Sequence, residues 1–490
     1  MTLAVARLRT PVLSALVLLI LVSLTTLLIN YARQYFFLFD DFALVELART
    51  HSTRQLLTEP LTGFYRPLPF LLLRAETLLF SWDSPAGYLA LNLICHAVNA
   101  ALCAWLASLL LPRRPLVAIL TFMLVLASPW ATETFLWASG IFDLLAAIGV
   151  LTALIGVRLT LDPAQRVIGV VMAGAGATFA VFSKENAVIL PALAVAIVLI
   201  DRPWLALWRP ATRFALVACS VPIALYLLLR AAVLGILAGG YGEFGTLWHQ
   251  APVLQNILRY ARAVVWAPMP GLYDPLRLIA VALLATFVLH TLIVTRSRLF
   301  LGIIAAFLIA TLPVCWFAMS ADSTAAGRYA YLPGMLAAIA LSSGLAMGES
   351  LARVIPIVSV MAYAGASLLY QVGVWSASCD LSRSVLAQLE PYRGRTDLAL
   401  DIQNLPYMFV EGPYVLKAYA FRYYGDDREA PLPPIKARAR TVSFAAKHRP
   451  HEASAGIEAG SDYFDEPPAG LREESIHLEL SGYSSVARLM

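Results

Sequence analysis

The chain has 490 residues, of which 60% are hydrophobic and only 14% are charged. Soluble domains carry about 25% charged residues, so this composition excludes an ordinary soluble protein and indicates a polytopic membrane protein. The net charge of +5 is small for this length, and we expect no nucleic-acid partner. The five cysteines show neither a disulfide framework nor a metal-binding spacing.

Runs of about 17 or more mostly apolar residues can cross a bilayer as helices. Eleven such spans are predicted, at 11–31, 86–111, 115–131, 134–156, 166–182, 186–201, 212–236, 276–295, 299–319, 330–347 and 354–376. The first run ends in Tyr31 and Arg33 without a small-residue cleavage pattern, so we interpret it as an anchor and not as a signal peptide. The sequence therefore predicts an all-α polytopic membrane fold of about 11 transmembrane helices.

Arginine is distributed unevenly over the connections between these runs. One set of short connections carries all of the following arginines: Arg113, Arg114, Arg158, Arg166, Arg202, Arg209, Arg213, Arg296, Arg298 and Arg353. The opposite short connections hold only Lys184 and Arg328 as basic residues. The positive-inside rule then predicts a cytoplasmic N-terminus and an extracytoplasmic C-terminus. The Arg and Ala bias suggests a bacterial source, so we expect the inner (cytoplasmic) membrane.

The predicted transmembrane domain comprises residues 1–376 and includes two longer outer connections, 32–85 and 237–275. The first connection is apolar enough to form amphipathic helices along the membrane surface. The second begins with a glycine-rich stretch at 239–245, which we interpret as a mobile loop over a site, followed by an interfacial helix. Both connections would lie on the extracytoplasmic side.

The remaining residues, 377–490, are predicted to form a small α/β extracytoplasmic domain with poorly ordered Pro- and Gly-rich connections. Alternating apolar residues predict a short strand at 397–402, and similar patterns predict strands at 441–444 and 476–480. A helix is predicted from Tyr414 to Tyr424. No internal repeat is recognisable, which argues modestly against a secondary transporter.

Two adjacent carboxylates, Asp40 and Asp41, follow the first apolar run. An Asp at the bilayer centre costs roughly 2.5–3.5 kcal/mol, so a pair at the end of a run is either solvated at the interface or retained for chemistry. Further polar residues follow at helical spacing within the apolar runs: Asn92, His96, Asn99 and Cys103 in the second, and Glu133, Trp137 and Gly140 in the fourth. A lone His in such a helix is more often only hydrogen-bonded. Asp143, about one turn deeper, needs a partner, which could be structural.

Lys184 is the only lysine of the predicted membrane domain, and it stands beside Glu185 at an outer boundary. A neighbouring ion pair is the simplest explanation of these two residues. Since outer connections avoid positive charge, the alternative is an ammonium that binds an anion such as a lipid phosphate. Arg328 and Tyr329 supply a second outward cation at a predicted helix start, where the helix dipole also favours an anion.

These residues resemble the GT-C class of membrane glycosyltransferases, most closely the bacterial branch similar to protein O-mannosyltransferases and to the membrane part of the transmembrane-and-TPR O-mannosyltransferases. The shared elements lie within roughly residues 10–350 and are, in chain order, Asp40–Asp41, Tyr65–Leu68, Asn92–Asn99, Glu133 with Trp137–Ala146, Phe182–Glu185 and Arg328–Pro333. Two departures are Gly140-Ile141-Phe142, where the relatives usually carry an arginine before the aspartate, and the lack of a following TPR array. The acceptor of the relatives is therefore not carried over.

The resemblance implies an inverting transfer of a sugar from a polyprenyl-phosphate donor to a glycan or protein acceptor hydroxyl at the outer membrane surface. Asp40 would be the general base, and Asp41 would bond outer-loop groups such as Arg66. Lys184, Arg328 and Tyr329 would bind the donor phosphate. The residues assigned to acceptor or sugar binding are Tyr65, Arg66, His96, Asn99, Glu133, Trp137, Asp143 and Glu185. A divalent cation held by the carboxylate pair and Glu133 stays open.

Two other functions share some of these features. A polymerase or ligase of lipid-linked glycans would use the same lipid substrate, but we would expect its site to centre on arginines of a large outer loop. A transporter or flippase would use the carboxylates as ion or proton sites and would place charges near mid-membrane. The predicted charges instead cluster at the outer ends of the spans, which favours the glycosyltransferase.

Overall fold

The computed structural model describes residues 2–61, 63–81, 84–200, 202–237, 252–267, 275, 278–283, 285–286, 298–317, 323–346, 354–409, 412–416, 433, 435–442, 462–463 and 472–478. The α-helices with defined bounds are α1 (Thr2–Gln34), α2 (Asp40–Thr50), α3 (Thr53–Thr58), α4 (Pro67–Leu79), α5 (Pro85–Leu110), α6 (Pro115–Ala127), α7 (Thr132–Leu136), α8 (Ile141–Leu159), α9 (Arg166–Ser183), α10 (Leu190–Leu199), α11 (Pro210–Leu234), α12 (Val253–Val265), α13 (Arg298–Thr311), α14 (Tyr331–Leu345) and α15 (Val354–Leu389). The strands are β1 (Leu398–Phe409), β2 (Ile435–Val442), β3 (Asp462–Tyr463) and β4 (Arg472–Ile476).

Several helices begin at a proline, namely Pro67 of α4, Pro85 of α5, Pro115 of α6 and Pro210 of α11. Proline suits the first helical position because its φ is already helical and its missing N–H would have had no partner there. Helical segments long and apolar enough to cross a membrane are Pro85–Leu110, Ala138–Leu159, Pro163–Ser183, Pro210–Leu234 and Val354–Tyr392. Shorter apolar helices are Leu18–Gln34, Pro115–Ala127, Glu185–Leu199 and Phe300–Thr311.

Each predicted span overlaps residues that are helical in the structure; within 276–295 these are residues 278–283 and 285–286. The span 276–295 lies largely outside the described residues, as does the glycine-rich stretch 239–245. The predicted span 134–156 is not one continuous helix, because α7 ends before Trp137, whose backbone is extended. A 3-10 turn, Ala138–Gly140, then leads into α8. Because of this break, the polar residues at the start of the span lie at one end of the helix bundle. The helix α1 ends at the same end of the bundle.

The last helix, α15, was predicted to end at 376 but continues to Leu389. Its additional turns are polar on the side that meets the segment after α1. There, Cys379 Sγ lies 3.5 Å from the Phe36 carbonyl, and Ser382 Oγ donates to the Phe37 carbonyl over 2.9 Å. The helix is therefore continuous across the predicted domain boundary at 376.

Helices α8 and α9 pack with their backbones in contact along their whole length. A Cβ added to Gly156 would lie 2.5 Å from the Ala173 nitrogen, and one added to Gly176 would lie 2.5 Å from the Ala153 nitrogen. A Cβ on Gly149 would similarly lie 2.7 Å from the Ala180 Cα. Small residues at such positions let membrane helices approach closely and gain dispersion energy that lipid cannot supply. This contact sets the register in which the start of α8 faces the end of α9.

A small sheet follows α15, with strand order β3-β2-β1-β4. The central strand β1 pairs in parallel with β2 and β4, while β3 pairs antiparallel with β2. The predicted strands at 397–402, 441–444 and 476–480 overlap β1, the end of β2 and the end of β4, respectively. The predicted helix from Tyr414 is wrong where the chain is described, because Tyr414 forms an antiparallel bridge with Met408 of β1. An α/β C-terminal region after the helical bundle is confirmed.

The glycine contacts generate a test of the packing between α8 and α9. We expect Gly176→Ala to lower the free energy of unfolding by about 1–3 kcal/mol, because its methyl group would have to displace the backbone at Ala153. Thermal unfolding of the purified protein in detergent measures this change.

Gly174→Ala is the matched control on the same helix. Its added Cβ would meet the nearest atom, the Ala218 Cβ, at an ordinary 3.6 Å, and alanine favours the helix by about 0.5–1 kcal/mol over glycine. Equal melting temperatures for the two variants would contradict the close packing of α8 and α9.

Candidate active site

Asp41 is buried and held by four donors. Its Oδ2 accepts a hydrogen bond from the Tyr35 hydroxyl at 2.6 Å and from the Leu38 N–H at 2.9 Å. Its Oδ1 accepts from the Ser139 N–H at 2.8 Å and also from the Ser139 hydroxyl. Burial raises the pKa of Asp41 to about 7, and the hydrogen bonds from Ser139, Tyr35 and Leu38 oppose that increase. The predicted contact with Arg66 is wrong, since Asp41 instead ties the segment after α1 to the 3-10 turn before α8.

Asp40 is the first residue of α2 and is partly exposed, whereas Asp41 is only 1% exposed. The positive end of the helix dipole stabilises a carboxylate in this first turn. The two neighbouring carboxylates therefore differ in role. Asp41 is committed to the protein interior, and Asp40 has a side chain that solvent or a ligand can reach.

Lys184 forms a buried ion pair with Asp143. Its Nζ lies 2.6 Å from both carboxylate oxygens of Asp143, and both side chains are almost completely buried. Lys184 directly follows α9, and Asp143 lies in the first turn of α8, so the glycine-mediated contact between these helices sets their separation. The prediction that Asp143 needs a partner is confirmed. The neighbouring pair between Lys184 and Glu185 is not formed.

Glu133 of α7 pairs with Arg328. The Arg328 Nη1 lies 3.3 Å from Glu133 Oε1, and the Arg328 N–H donates to Glu133 Oε2 over 3.1 Å. Burial raises the pKa of Glu133, and the charge of Arg328 opposes that increase. Gly327 permits this approach because its backbone passes close to the Trp130 carbonyl. A Cβ added to Gly327 would lie only 3.3 Å from that carbonyl oxygen.

Aromatic rings separate the two cations. The Arg328 guanidinium lies 5.3 Å from the ring centroid of Trp137 and 5.2 Å from that of Tyr329. The Lys184 ammonium lies 5.3 Å from the Tyr329 ring. Such contacts stabilise a cation by about 0.5–2 kcal/mol. A cavity at this position is lined by Asp143, Arg328 and Tyr329 together with Asn186 and the start of α14.

Trp137 connects this cavity to the Asp40 turn. Its Nε1 donates to the Leu38 carbonyl over 3.3 Å, and its ring lies 5.2 Å from that of Tyr414. Burial raises the pKa of the Tyr414 hydroxyl. The charges of Glu133, Arg328 and Asp40 also act on this pKa, and that of Arg328 lowers it. Arg328 and the turn that leads into Asp40 thus both contact the aromatic cluster of Trp137 and Tyr414.

Arg66 forms a bidentate pair with Glu185. Its Nε donates to Glu185 Oε2 over 2.7 Å, and its Nη2 donates to Oε1. The adjacent Tyr65 is buried, with its ring 5.9 Å from that of Tyr226. The Tyr226 hydroxyl donates to the Tyr65 carbonyl over 3.1 Å, which fastens the start of α4 to α11. Because Glu185 follows Lys184 in the chain, this third pair lies beside the Lys184 site.

His96 does not belong to this site. It is fully buried and stacks on Phe135 with ring centroids 4.0 Å apart. Its Nε2 lies 3.1 Å from the Leu126 carbonyl and so donates to it, which leaves Nδ1, 2.7 Å from the Tyr331 hydroxyl, as the acceptor. Both ring nitrogens are used to join α5 to α6 and α14, so His96 is a structural residue.

Asn99 also holds helices together. Its amide donates to the Leu144 carbonyl over 2.9 Å, and Asn92 on the same face donates to the carbonyls of Trp137 and Ala138 over 2.7 and 3.1 Å. The Trp137 and Ala138 carbonyls lie at the break between α7 and α8, and the Leu144 carbonyl lies in α8, so these two amides join α5 to both places. The shared face of the polar residues on α5 is confirmed, but it binds protein backbone.

Sequence reasoning missed Tyr35, Ser139 and Tyr414. The role of each of these residues depends on a contact with a residue far along the chain. Rules of alternation or spacing cannot reveal such contacts. The glycines of α8 and α9 did carry a local signal, since Gly149 and Gly156 on α8 and Gly169 and Gly176 on α9 each lie seven residues apart. Seven residues are about two helical turns, so each pair of glycines lies on one face, where small residues allow a close helix-helix contact.

A metal site formed by the aspartate pair and Glu133 does not match this geometry. Asp41 accepts hydrogen bonds at both oxygens, and Glu133 pairs with Arg328. Within the described residues there is no group of three or more His, Cys, Asp or Glu side chains that could hold a metal ion.

No protein-family profile matches the chain, and no curated protein matches it in sequence. Among solved structures it is similar to apo ArnT from Cupriavidus metallidurans, a GT-C glycosyltransferase, with a TM-score of 0.51 at 13% identity over 92% of this chain and 97% of that chain. The same protein bound to undecaprenyl phosphate matches with a TM-score of 0.50 at 13% identity over 91% and 97%. The chain has a GT-C-like fold.

The GT-C-like fold confirms the expected helical membrane architecture with a small C-terminal sheet. The comparison does not distinguish branches within the class, so the similarity to O-mannosyltransferases stays a prediction. The site described above lies at the ends of α1, α6 and α9 and at the starts of α2, α8 and α14.

The contrast between the two aspartates generates a prediction about stability. Asp41→Asn should lower the free energy of unfolding by about 1–3 kcal/mol, because an amide nitrogen would face one of the donors that now bond the buried carboxylate. Asp40→Asn should cost less than about 1 kcal/mol, the range for a carboxylate near a helix N-terminus. Thermal unfolding in detergent compares the two. A larger loss for Asp40→Asn would contradict the assignment of Asp41 as the structural carboxylate.

Proposed function

We propose that the protein is a membrane glycosyltransferase that moves a sugar from a polyprenyl-phosphate donor to an acceptor hydroxyl, with inversion at the anomeric carbon. The observation that carries this proposal is the placement of a reachable carboxylate, Asp40, and two cations, Lys184 and Arg328, around one aromatic cluster at the same end of the bundle. A base and an anion site are the two parts that such a displacement requires.

Asp40 would act as the general base. As the acceptor oxygen forms its bond to the anomeric carbon, its proton passes to the Asp40 carboxylate, and the bond from the anomeric carbon to the phosphate oxygen breaks. The polyprenyl phosphate leaves with that electron pair. Asp41 would hold the turn in place while the partly exposed Asp40 faces the acceptor.

Lys184 and Arg328 would compensate the charge of the leaving phosphate, with Tyr329 between them. In the structure each cation is paired with a carboxylate, Lys184 with Asp143 and Arg328 with Glu133. A phosphate that binds here would therefore compete with these carboxylates. Because burial already raises the pKa of Glu133, a proton taken up by Glu133 would release Arg328 to the phosphate.

The other predicted site residues would contribute differently. Trp137 lies close enough to both parts of the site to contact a bound sugar, whereas Arg66 and Glu185 border the Lys184 side. His96 and Asn99 would act only through the fold. We place the site on the extracytoplasmic side of a bacterial inner membrane, because the arginine-rich connections belong to the opposite end. There, Arg158 Nη2 donates to the Leu109 carbonyl over 3.3 Å.

The assignment of Asp40 is tested by Asp40→Asn, which preserves size and removes basicity. Loss of a general base typically costs 10² to 10⁴ in rate. The variant should bind undecaprenyl phosphate like the wild type but should release almost no sugar from a panel of radiolabelled undecaprenyl-phosphate hexoses and pentoses, with native membranes as the acceptor source. Wild-type transfer by Asp40→Asn would refute its role as base.

The phosphate site is tested with variants that change the ion pair of Lys184 and Asp143. Asp143→Asn keeps Lys184 and removes its competing carboxylate, so the affinity for undecaprenyl phosphate should stay equal or increase. The double variant Asp143→Asn with Lys184→Met should bind at least about 10-fold more weakly, as expected for the loss of hydrogen bonds from a charged donor. Lipid-binding measurements on the purified proteins compare them. Arg158→Ala, at the opposite end of the bundle, is the control. Equal affinity of the double variant and the wild type would remove Lys184 from the phosphate site.

A further inference from the structure

In the described part of the chain, Phe39 and Ala326 have φ angles of 46° and 64°, in the region that disfavours residues other than glycine. A side chain in this region usually costs of order 1–3 kcal/mol and persists only where the surrounding structure enforces it. Phe39 directly precedes Asp40, and Ala326 lies two residues before Arg328. The strained positions thus adjoin the carboxylate and one of the cations of the proposed site.

The segment 412–416, which follows β1, contacts the first of these positions. The Phe39 N–H donates to the Val415 carbonyl over 3.1 Å. The Phe39 ring stacks on Tyr414 with centroids 4.5 Å apart and planes inclined by 28°. Tyr407 of β1 meets the same ring edge to face at 5.1 Å. The backbone and the side chain of Phe39 are both held by the region that follows the helical bundle.

The same segment lies against the second strained turn. Gly412 has a φ of 120°, and a Cβ added to it would lie 2.5 Å from the backbone nitrogens of both Thr324 and Ala325. These two residues immediately precede Ala326. Only a residue without a side chain allows the backbone at 412 to approach this closely.

The segment itself is supported from two directions. The Ser378 hydroxyl of α15 donates to the Tyr414 carbonyl, and the Val415 N–H donates to the Tyr407 carbonyl of β1 over 2.9 Å. The Phe409 N–H of β1 also donates to the Pro413 carbonyl over 2.8 Å. A long helix and the central strand of the sheet therefore hold the segment in a defined position.

We propose that residues 412–416 form a positioning clamp that holds the Asp40 turn and the Arg328 turn at a set separation. This inference rests on the proposed glycosyl transfer, in which the base and the phosphate-binding cation act on opposite sides of one anomeric carbon. A displacement of about 1 Å between such groups can cost about 100-fold in rate. Tyr414 and Gly412 act through Phe39 and through the 324–326 turn, so they are positioning residues and not catalytic ones.

The test compares Tyr414→Ala with Tyr414→Phe and uses the independent variant Gly412→Ala. Tyr414→Ala and Gly412→Ala should each lower the turnover number for release of label from undecaprenyl-phosphate sugars by at least 10-fold, with the donor KM changed less than threefold. Tyr414→Phe keeps the ring stack and should retain most of the turnover. Tyr392→Ala, in the turn after α15, is the control in the same region and should behave like the wild type.

Hydrogen exchange gives a readout that does not depend on the reaction. In Tyr414→Ala, peptides that cover residues 35–42 and 323–329 should both exchange faster, because both turns lose the same support. Faster exchange in only one of them, or in neither, would overturn the clamp. If the wild-type protein releases no label from any donor, the proposed function fails while the exchange result still decides the clamp. If the wild type is active and Tyr414→Ala keeps its turnover, the clamp fails while the proposed function stands.

Discussion

The backbone contact between α8 and α9 is the constraint on which the candidate site depends. Glycine at 149, 156 and 176 lets the two helices approach until added methyl groups would overlap the opposite backbone. This fixed register carries Asp143, in the first turn of α8, to Lys184, which directly follows α9. A buried ion pair alone is weak evidence of stability, because the desolvation of two charges offsets much of their attraction. The helix packing must therefore position the pair.

The charges of the site are balanced in pairs that join separate elements. Asp143 with Lys184 joins α8 to α9, Glu133 with Arg328 joins α7 to the turn before α14, and a third pair, Arg66 with Glu185, joins the start of α4 to the turn after α9. Each cation is thereby oriented in a largely buried environment before any ligand arrives. In the proposed reaction a phosphate would bind by exchange with these carboxylates, which makes binding sensitive to their protonation.

Interhelical hydrogen bonds complete this arrangement. Asn92, His96 and Asn99 on one face of α5 bond to backbone carbonyls of α6, of α8 and of the break before α8. Asp41 similarly bonds the turn after α1 to Ser139. In an apolar surrounding such groups cost several kcal/mol when they lack partners. The polar residues that resemble a ligand site in the sequence therefore divide into a structural set and a smaller set that faces the cavity.

The amino-acid sequence by itself determined the membrane class, nearly all of the spans and the set of polar residues at one end of the bundle, because apolar run length and helical spacing are local properties. The GT-C-like fold was implied by the family resemblance of those polar residues and not by run length or spacing. Only the tertiary structure decided which of those residues meet. Lys184 pairs with Asp143, 41 positions away, and not with its neighbour Glu185, and Phe39 packs on Tyr414 across nearly the whole chain. Such pairings depend on the register between packed helices and on backbone strain that distant segments enforce. No short stretch of sequence determines either of these properties.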